Sequence, residues 1–220
     1  MSHLSAKETI CPHCKQPTDV ELWTAMNVKD DPELKDLLLG GEINMVECDS
    51  CREVFYAEAF LLYHDPANEL MAMVYPSDQK EMEELLAEKT LADFHKGQEL
   101  ALEGERVDYE PVALFGLNDL VAIVEKIEEE SLQSEVAEAI AKLNKLPYRK
   151  IGPWLGRTQG LPRLLPLDAA EKDRRASILK GLRRLHEIND RLTVFNAALE
   201  RLSTAPAAEI RLCLLYTSDA

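Results

Sequence analysis

Two C-x-x-C pairs constrain this chain more than any other feature: Cys11-Pro12-His13-Cys14 and, after a gap of 33 residues, Cys48-Asp49-Ser50-Cys51. A two-residue spacing lets both sulfurs of a pair face one ion from a single tight turn, and two such turns complete a tetrahedron. Cys11, Cys14, Cys48 and Cys51 are therefore the expected metal ligands. Borderline-soft Zn(2+) suits four thiolates and needs no open position if its task is structural, with iron as the main rival. His13 lies inside the first pair, but four cysteines already fill the site. A redox dithiol is the competing reading, because one C-x-x-C can serve a thioredoxin-like site; the absence of a βαβ pattern weighs against it.

The surroundings of the cysteines bound the compartment and the partners. No apolar run approaches the roughly 20 residues that span a bilayer, and the opening MSHLSAKETI lacks the apolar core of a secretory signal. These features predict a cytoplasmic protein, where cysteine spacing is read as metal or thiol chemistry and not as a disulfide framework. The net charge of -15 opposes broad association with phosphate backbones or anionic lipid. That charge is uneven: residues 1–145 are strongly acidic, whereas 146–205 carry 12 basic and 6 acidic side chains. Such asymmetry marks differently charged surfaces, which either contact each other or meet separate partners.

Local patterns predict an α+β fold: an N-terminal zinc-ribbon-like antiparallel β module with a short inserted helix, followed by a mostly helical C-terminal half. Within residues 8–76, Val20, Leu22 and Trp23 suggest a strand leaving the first cysteine turn. Asp31, Pro32 and the Gly40-Gly41 pair punctuate a short helix over Glu33 to Leu39. From Asn44 to Tyr75 the β-branched and aromatic residues favour strands, and Asp65-Pro66-Ala67-Asn68 supplies a hairpin turn between 57–63 and 69–75. Residues 77–146 read as an acidic helical region, with Ser77 as a cap, Gly104 as a stop, and separate helices from Asn118 to Ile127 and from Ser131 to Leu146. Residues 147–205 read as a Pro/Gly-rich linker followed by one long basic helix from about Leu167 to Ser203. Its Ile178, Leu185, Ile188, Leu192, Phe195, Leu199 and Leu202 keep the a/d rhythm of a heptad. That stripe packs on the chain's own helices or, as the alternative, forms a homodimer through the helix 178–202. Residues 206–220 form a tail, of which CLLYTSDA (213–220) resembles translated adapter sequence, and Cys213 is excluded from the metal chemistry.

The segments ICPHC, DDPELKDLLLGG, ECDSC and LLYHDPANELMAMVYP together resemble the bacterial and archaeal CpXC domain, over about Thr9 to Tyr75, with a less distinctive acidic part from Glu105 to Lys145. The resemblance implies that Cys11, Cys14, Cys48 and Cys51 are the shared metal ligands, and it brings no established activity. Two features depart from the pattern: Asp49 stands where proline is expected, and Lys15 and Arg52 stand where a glycine often follows such turns.

Other candidate chemistry is weaker. His64-Asp65 beside Tyr63 could pair a base with an orienting carboxylate, but the Asp-Pro turn explains the same residues. His95 and His186 have no companion ligands. Glu125, Glu128, Glu129, Glu130, Glu135 and Glu138 lack a calcium-loop pattern and read as a solvated helix face. With no phosphate loop, nucleophile elbow or H-E-x-x-H motif, nothing supports an enzyme. The expectation is a structural-zinc-binding interaction protein with a protein partner. The alternatives are a nucleic-acid-associated ribbon factor using the basic run Arg174, Arg175, Lys180, Arg183, Arg184, Arg191 and Arg201, or a thiol redox sensor.

Overall fold

The computed structural model describes residues 1–102 and 104–204. It divides into two compact units, Met1–Glu125 and Lys126–Ala220. The expected adapter-like segment 213–220, with Cys213, lies outside the described residues.

In the first unit, β1 (His3–Ile10) and β2 (Pro17–Asn27) form a hairpin, and α1 (Glu33–Leu39) follows. A small ribbon pairs β3 (Met45–Glu47) with β4 (Val54–Tyr56), and a second hairpin pairs β5 (Leu61–Asp65) with β6 (Leu70–Tyr75). After α2 (Glu83–Leu100) comes β7 (Val112–Phe115). The central sheet runs β1-β2-β5-β6-β7. It is mixed, because β2 pairs with β5 and β6 with β7 in parallel, which corrects the expectation of a purely antiparallel module. Strand β7, with four residues and no alternation of burial until Phe115, carried no sequence signal of its own.

The expected turn at 65–68 forms as read: Asp65 accepts from the backbone N–H of Asn68 at 3.2 Å and from its side-chain amide at 2.6 Å. Two expected caps do not form. The Asp31 carboxylate accepts from Ser2 N–H and leaves α1 without a side-chain cap. Ser77 donates its N–H and its hydroxyl to Glu58 at 2.7 and 2.8 Å, and a 3-10 turn over Ser77–Met82 precedes α2. That helix ends at Leu100, before Gly104, with Ala101 already extended.

Helix α3 (Leu117–Leu143) is one continuous element where the sequence suggested two, since the Glu128–Ser131 stretch contains no helix breaker. In the second unit the predicted linker is ordered: β8 (Tyr148–Lys150), α4 (Pro153–Gln159) and β9 (Leu164–Pro166) occupy it, with β8 and β9 antiparallel. Its Leu161, Leu164 and Leu165 are buried, so the prolines and glycines shape turns around a core element. The single long helix from Leu167 to Ser203 is also corrected. It is two helices, α5 (Arg174–Ile188) and α6 (Thr193–Thr204), because Asn189 leaves the helical region and its side chain accepts from Arg191 N–H in a local turn. Most of the heptad stripe turns inward: Ile178, Leu185, Leu192, Phe195 and Leu202 share one core with Leu182, Ala198 and, from α3, Ala137 and Ala141, Leu199 packs against it, and Ile188 stays exposed. The stripe is thus divided between two helices that part after Ile188 and resume at Thr193.

Candidate metal centre

The two cysteine turns are the tips of two hairpins. Cys11 to Gln16 closes β1–β2, with Cys11 N–H donating to Gln16 O at 3.0 Å and Lys15 N–H to Cys11 O at 3.0 Å. The second turn repeats it: Cys48 N–H donates to Glu53 O at 3.0 Å and Arg52 N–H to Cys48 O at 2.8 Å. Lys15 and Arg52 both have φ of 62°, the left-handed conformation that glycine adopts without strain. The departures from glycine therefore change the cost of the turns and not their geometry.

The turns bring all four sulfurs to within 4.8 Å of one another. Cys11 Sγ lies 3.7 Å from Cys51 Sγ, and Cys14 Sγ 3.6 Å from Cys48 Sγ. A tetrahedron of thiolates bound at about 2.3 Å has edges of about 3.8 Å, so these separations leave room for one ion. Cys11 and Cys48 are fully buried, while Cys14 and Cys51 are half-buried. Val20, Leu22, Phe55 and Ala57 pack around them as a small apolar core. Among the described residues, these four cysteines are the group able to hold a metal ion.

Donors aimed at the sulfurs come from the turns themselves. His13 N–H points at Cys11 Sγ from 3.4 Å. The Thr18 hydroxyl sits 3.5 Å from Cys48 Sγ and, with the backbone N–H groups of Cys51 and Ser50, brings that thiol down to about 6. Cys51 accepts from Glu53 N–H, yet burial and the surrounding cysteines push it up to about 12. Cys14 likewise accepts from Gln16 N–H, and burial and Cys48 hold its thiol above the ordinary value. Four thiolates cannot share so small a volume unless a cation neutralises them.

Two contributors escaped the sequence reading. Thr18 is buried because β2 alternates, turning Thr18, Val20 and Leu22 inward; that period was visible, but nothing assigned the hydroxyl to a sulfur. Asn44, left-handed at φ 56°, accepts from Trp23 N–H at 2.7 Å and donates to Trp23 O at 3.2 Å. Its own carbonyl accepts from Ala57 N–H at 2.9 Å. This side chain imitates a strand partner and ties the ribbon to β2.

The other candidates are structural. His64 bonds Tyr109 through Nε2 at 2.7 Å, burial keeps its imidazole below the ordinary value, and Asp65 is occupied by the turn and by Lys35 at 3.7 Å. His95 is exposed, and His186 contacts Asn196. The glutamate cluster is not uniformly solvated. Glu130 is buried and accepts from Arg163 N–H at 3.0 Å; burial raises its carboxyl against the pull of that arginine. Glu138 is held by Lys142, Lys150 and Tyr148. No helix among the described residues is long and apolar enough to cross a membrane.

Paired hairpins closing four thiols in a miniature apolar core define a ribbon-type protein built around a candidate tetrathiolate metal centre. The pattern of the CpXC protein family matches residues 9–141, and the chain belongs to that family. No curated protein and no solved structure matches it.

Proposed function

We propose that Cys11, Cys14, Cys48 and Cys51 hold one structural Zn(2+) and that the zinc-stabilised ribbon presents a protein-binding surface. The tetrahedral spacing of the sulfurs carries the metal reading. Zinc would add no redox step; it would join two hairpins whose shared core, without it, is only a handful of side chains. Metal analysis of the full chain should give about one zinc per chain. No zinc, in protein that stays folded in chelator, overturns the reading, and stoichiometric iron in its place replaces the ion.

The interaction reading is supported by the outer ribbon face, where Met45, Val54 and Tyr56 are 47, 52 and 57% exposed. Beside them lies a cleft of about 290 Å³ lined by Leu38, Ile43, Tyr56, Glu58, Phe115 and Val121. Apolar side chains with Glu47 paired across from Val54 and Glu58 lining the cleft suit a protein segment that combines apolar and basic residues. Val54→Asp should abolish capture of such a partner while leaving zinc content unchanged; capture unaffected by V54D places the interface elsewhere. The half-buried Cys14 and Cys51 favour a second reading, redox sensing. Peroxide would oxidise two thiolates to a disulfide, be reduced to water and release the metal, and a site inert to peroxide removes this reading.

A further inference from the structure

Helix α3 carries two apolar faces on opposite sides. One enters the core of the second unit through Ala137 and Ala141. The other bears Leu132, Val136 and Leu143, which are 64, 46 and 84% exposed, with Ala139 also open. The steps from Leu132 to Val136, Ala139 and Leu143 are four, three and four residues, the d-a-d-a rhythm of a helix seam. Among the described residues, nothing covers this stripe.

We propose that this face joins two copies of the chain as an antiparallel helix pair about a twofold axis between Ala137 and Glu138. In that register Leu132 packs on Leu143 of the second copy and Val136 on Ala139, each contact occurring twice by symmetry. Small Ala139 opposite Val136 lets the helices approach closely.

The flanking charges choose this register over its alternatives. Glu135 and Lys142 lie one heptad apart on one flank and are both exposed. Centred between Ala137 and Glu138, Glu135 faces Lys142 of the second copy, twice. Moving the centre half a heptad toward either end sets Glu135 against Glu135 or Lys142 against Lys142. A parallel pair would set Glu135 against Ile140 and Glu129 against Glu129. Lys142 keeps its 2.8 Å contact to Glu138, so the intermolecular pair extends a network already present. The opposite flank is occupied within the chain, since Gln133 bonds Thr193 at 2.6 Å and accepts from Val194 N–H at 2.9 Å.

Sedimentation equilibrium of the full chain across a concentration series tests this pairing, with circular dichroism to verify that each variant folds. Val136→Glu should abolish the dimer. Glu135→Lys or Lys142→Glu alone should weaken it about tenfold, through two repulsive pairs where two were attractive, and the double reversal should return it to within about threefold of the parent. A chain that is monomeric throughout the series overturns the proposal, as does a dimer indifferent to V136E or a double reversal that fails to rescue. Zinc content is measured in parallel and stays constant, so failure of the metal reading and failure of this one are separable.

Discussion

Lys15 and Arg52, both at φ 62°, hold the backbone in a region that costs an L-residue about 1–2 kcal/mol. Glycine removes that strain but adds chain entropy to the unfolded state, so Lys15→Gly or Arg52→Gly should stabilise the module by up to about 1 kcal/mol, read as a higher denaturant midpoint. An unchanged or lower midpoint would show that the turns are not strained. Gly181 makes the opposite case. It interrupts the heptad reading of the last helices, and a Cβ there would collide with the backbone of Pro166 and Leu167. Gly181→Ala should cost about 1–3 kcal/mol of the second unit's stability in urea. Asn44→Ala removes both bonds to Trp23 and leaves a part-buried strand N–H unpaired, for a loss of about 1–3 kcal/mol.

Among elements, α3 and the 147–166 segment show where local pattern misleads. Pro147, Gly152, Pro153, Gly160 and Pro162 look like a linker because each breaks regular structure, yet Leu161, Leu164 and Leu165 of the same segment are among the most buried of the described residues. Glu138 ties α3 to β8, and its carboxyl is brought down to about 2, first by Lys142 and then by Lys150 and Tyr148. A depressed folded value means that this contribution is fully present above the unfolded value of 4.5 and is lost as pH falls toward 2. Stability of the second unit should fall across that window, and Glu138→Gln should flatten the fall in acid titrations followed by circular dichroism. An equally steep fall in E138Q would assign the acid sensitivity to other carboxylates.

On the scale of the whole molecule, the candidate metal site belongs to one compact unit and the leucine-rich helical core to the other. Each unit has one of the chain's two tryptophans, Trp23 in the first and Trp154 in the second. Chelation should therefore shift the unfolding transition seen in Trp154→Phe protein to lower denaturant and leave that of Trp23→Phe protein in place. Equal shifts in both variants would mean that the two units unfold as one.

The sequence by itself determined the cysteine pairs, the short helix before Gly40, the 65–68 turn and the α+β character. Each of these rests on interactions within a few residues: a C-x-x-C turn, a proline at a helix start, an Asp side chain reaching Asn68 N–H. Only the tertiary structure decided what depends on distant partners. It placed Thr18 on Cys48 and Asn44 on Trp23, and it made the central sheet mixed through parallel pairings such as β6 with β7. The strongest heptad in the sequence was bent at Asn189 and turned into the core, while a shorter one on α3 was left facing water. A hydrophobic period states which face must be covered, and what covers it is set by the packing of segments far apart in the chain.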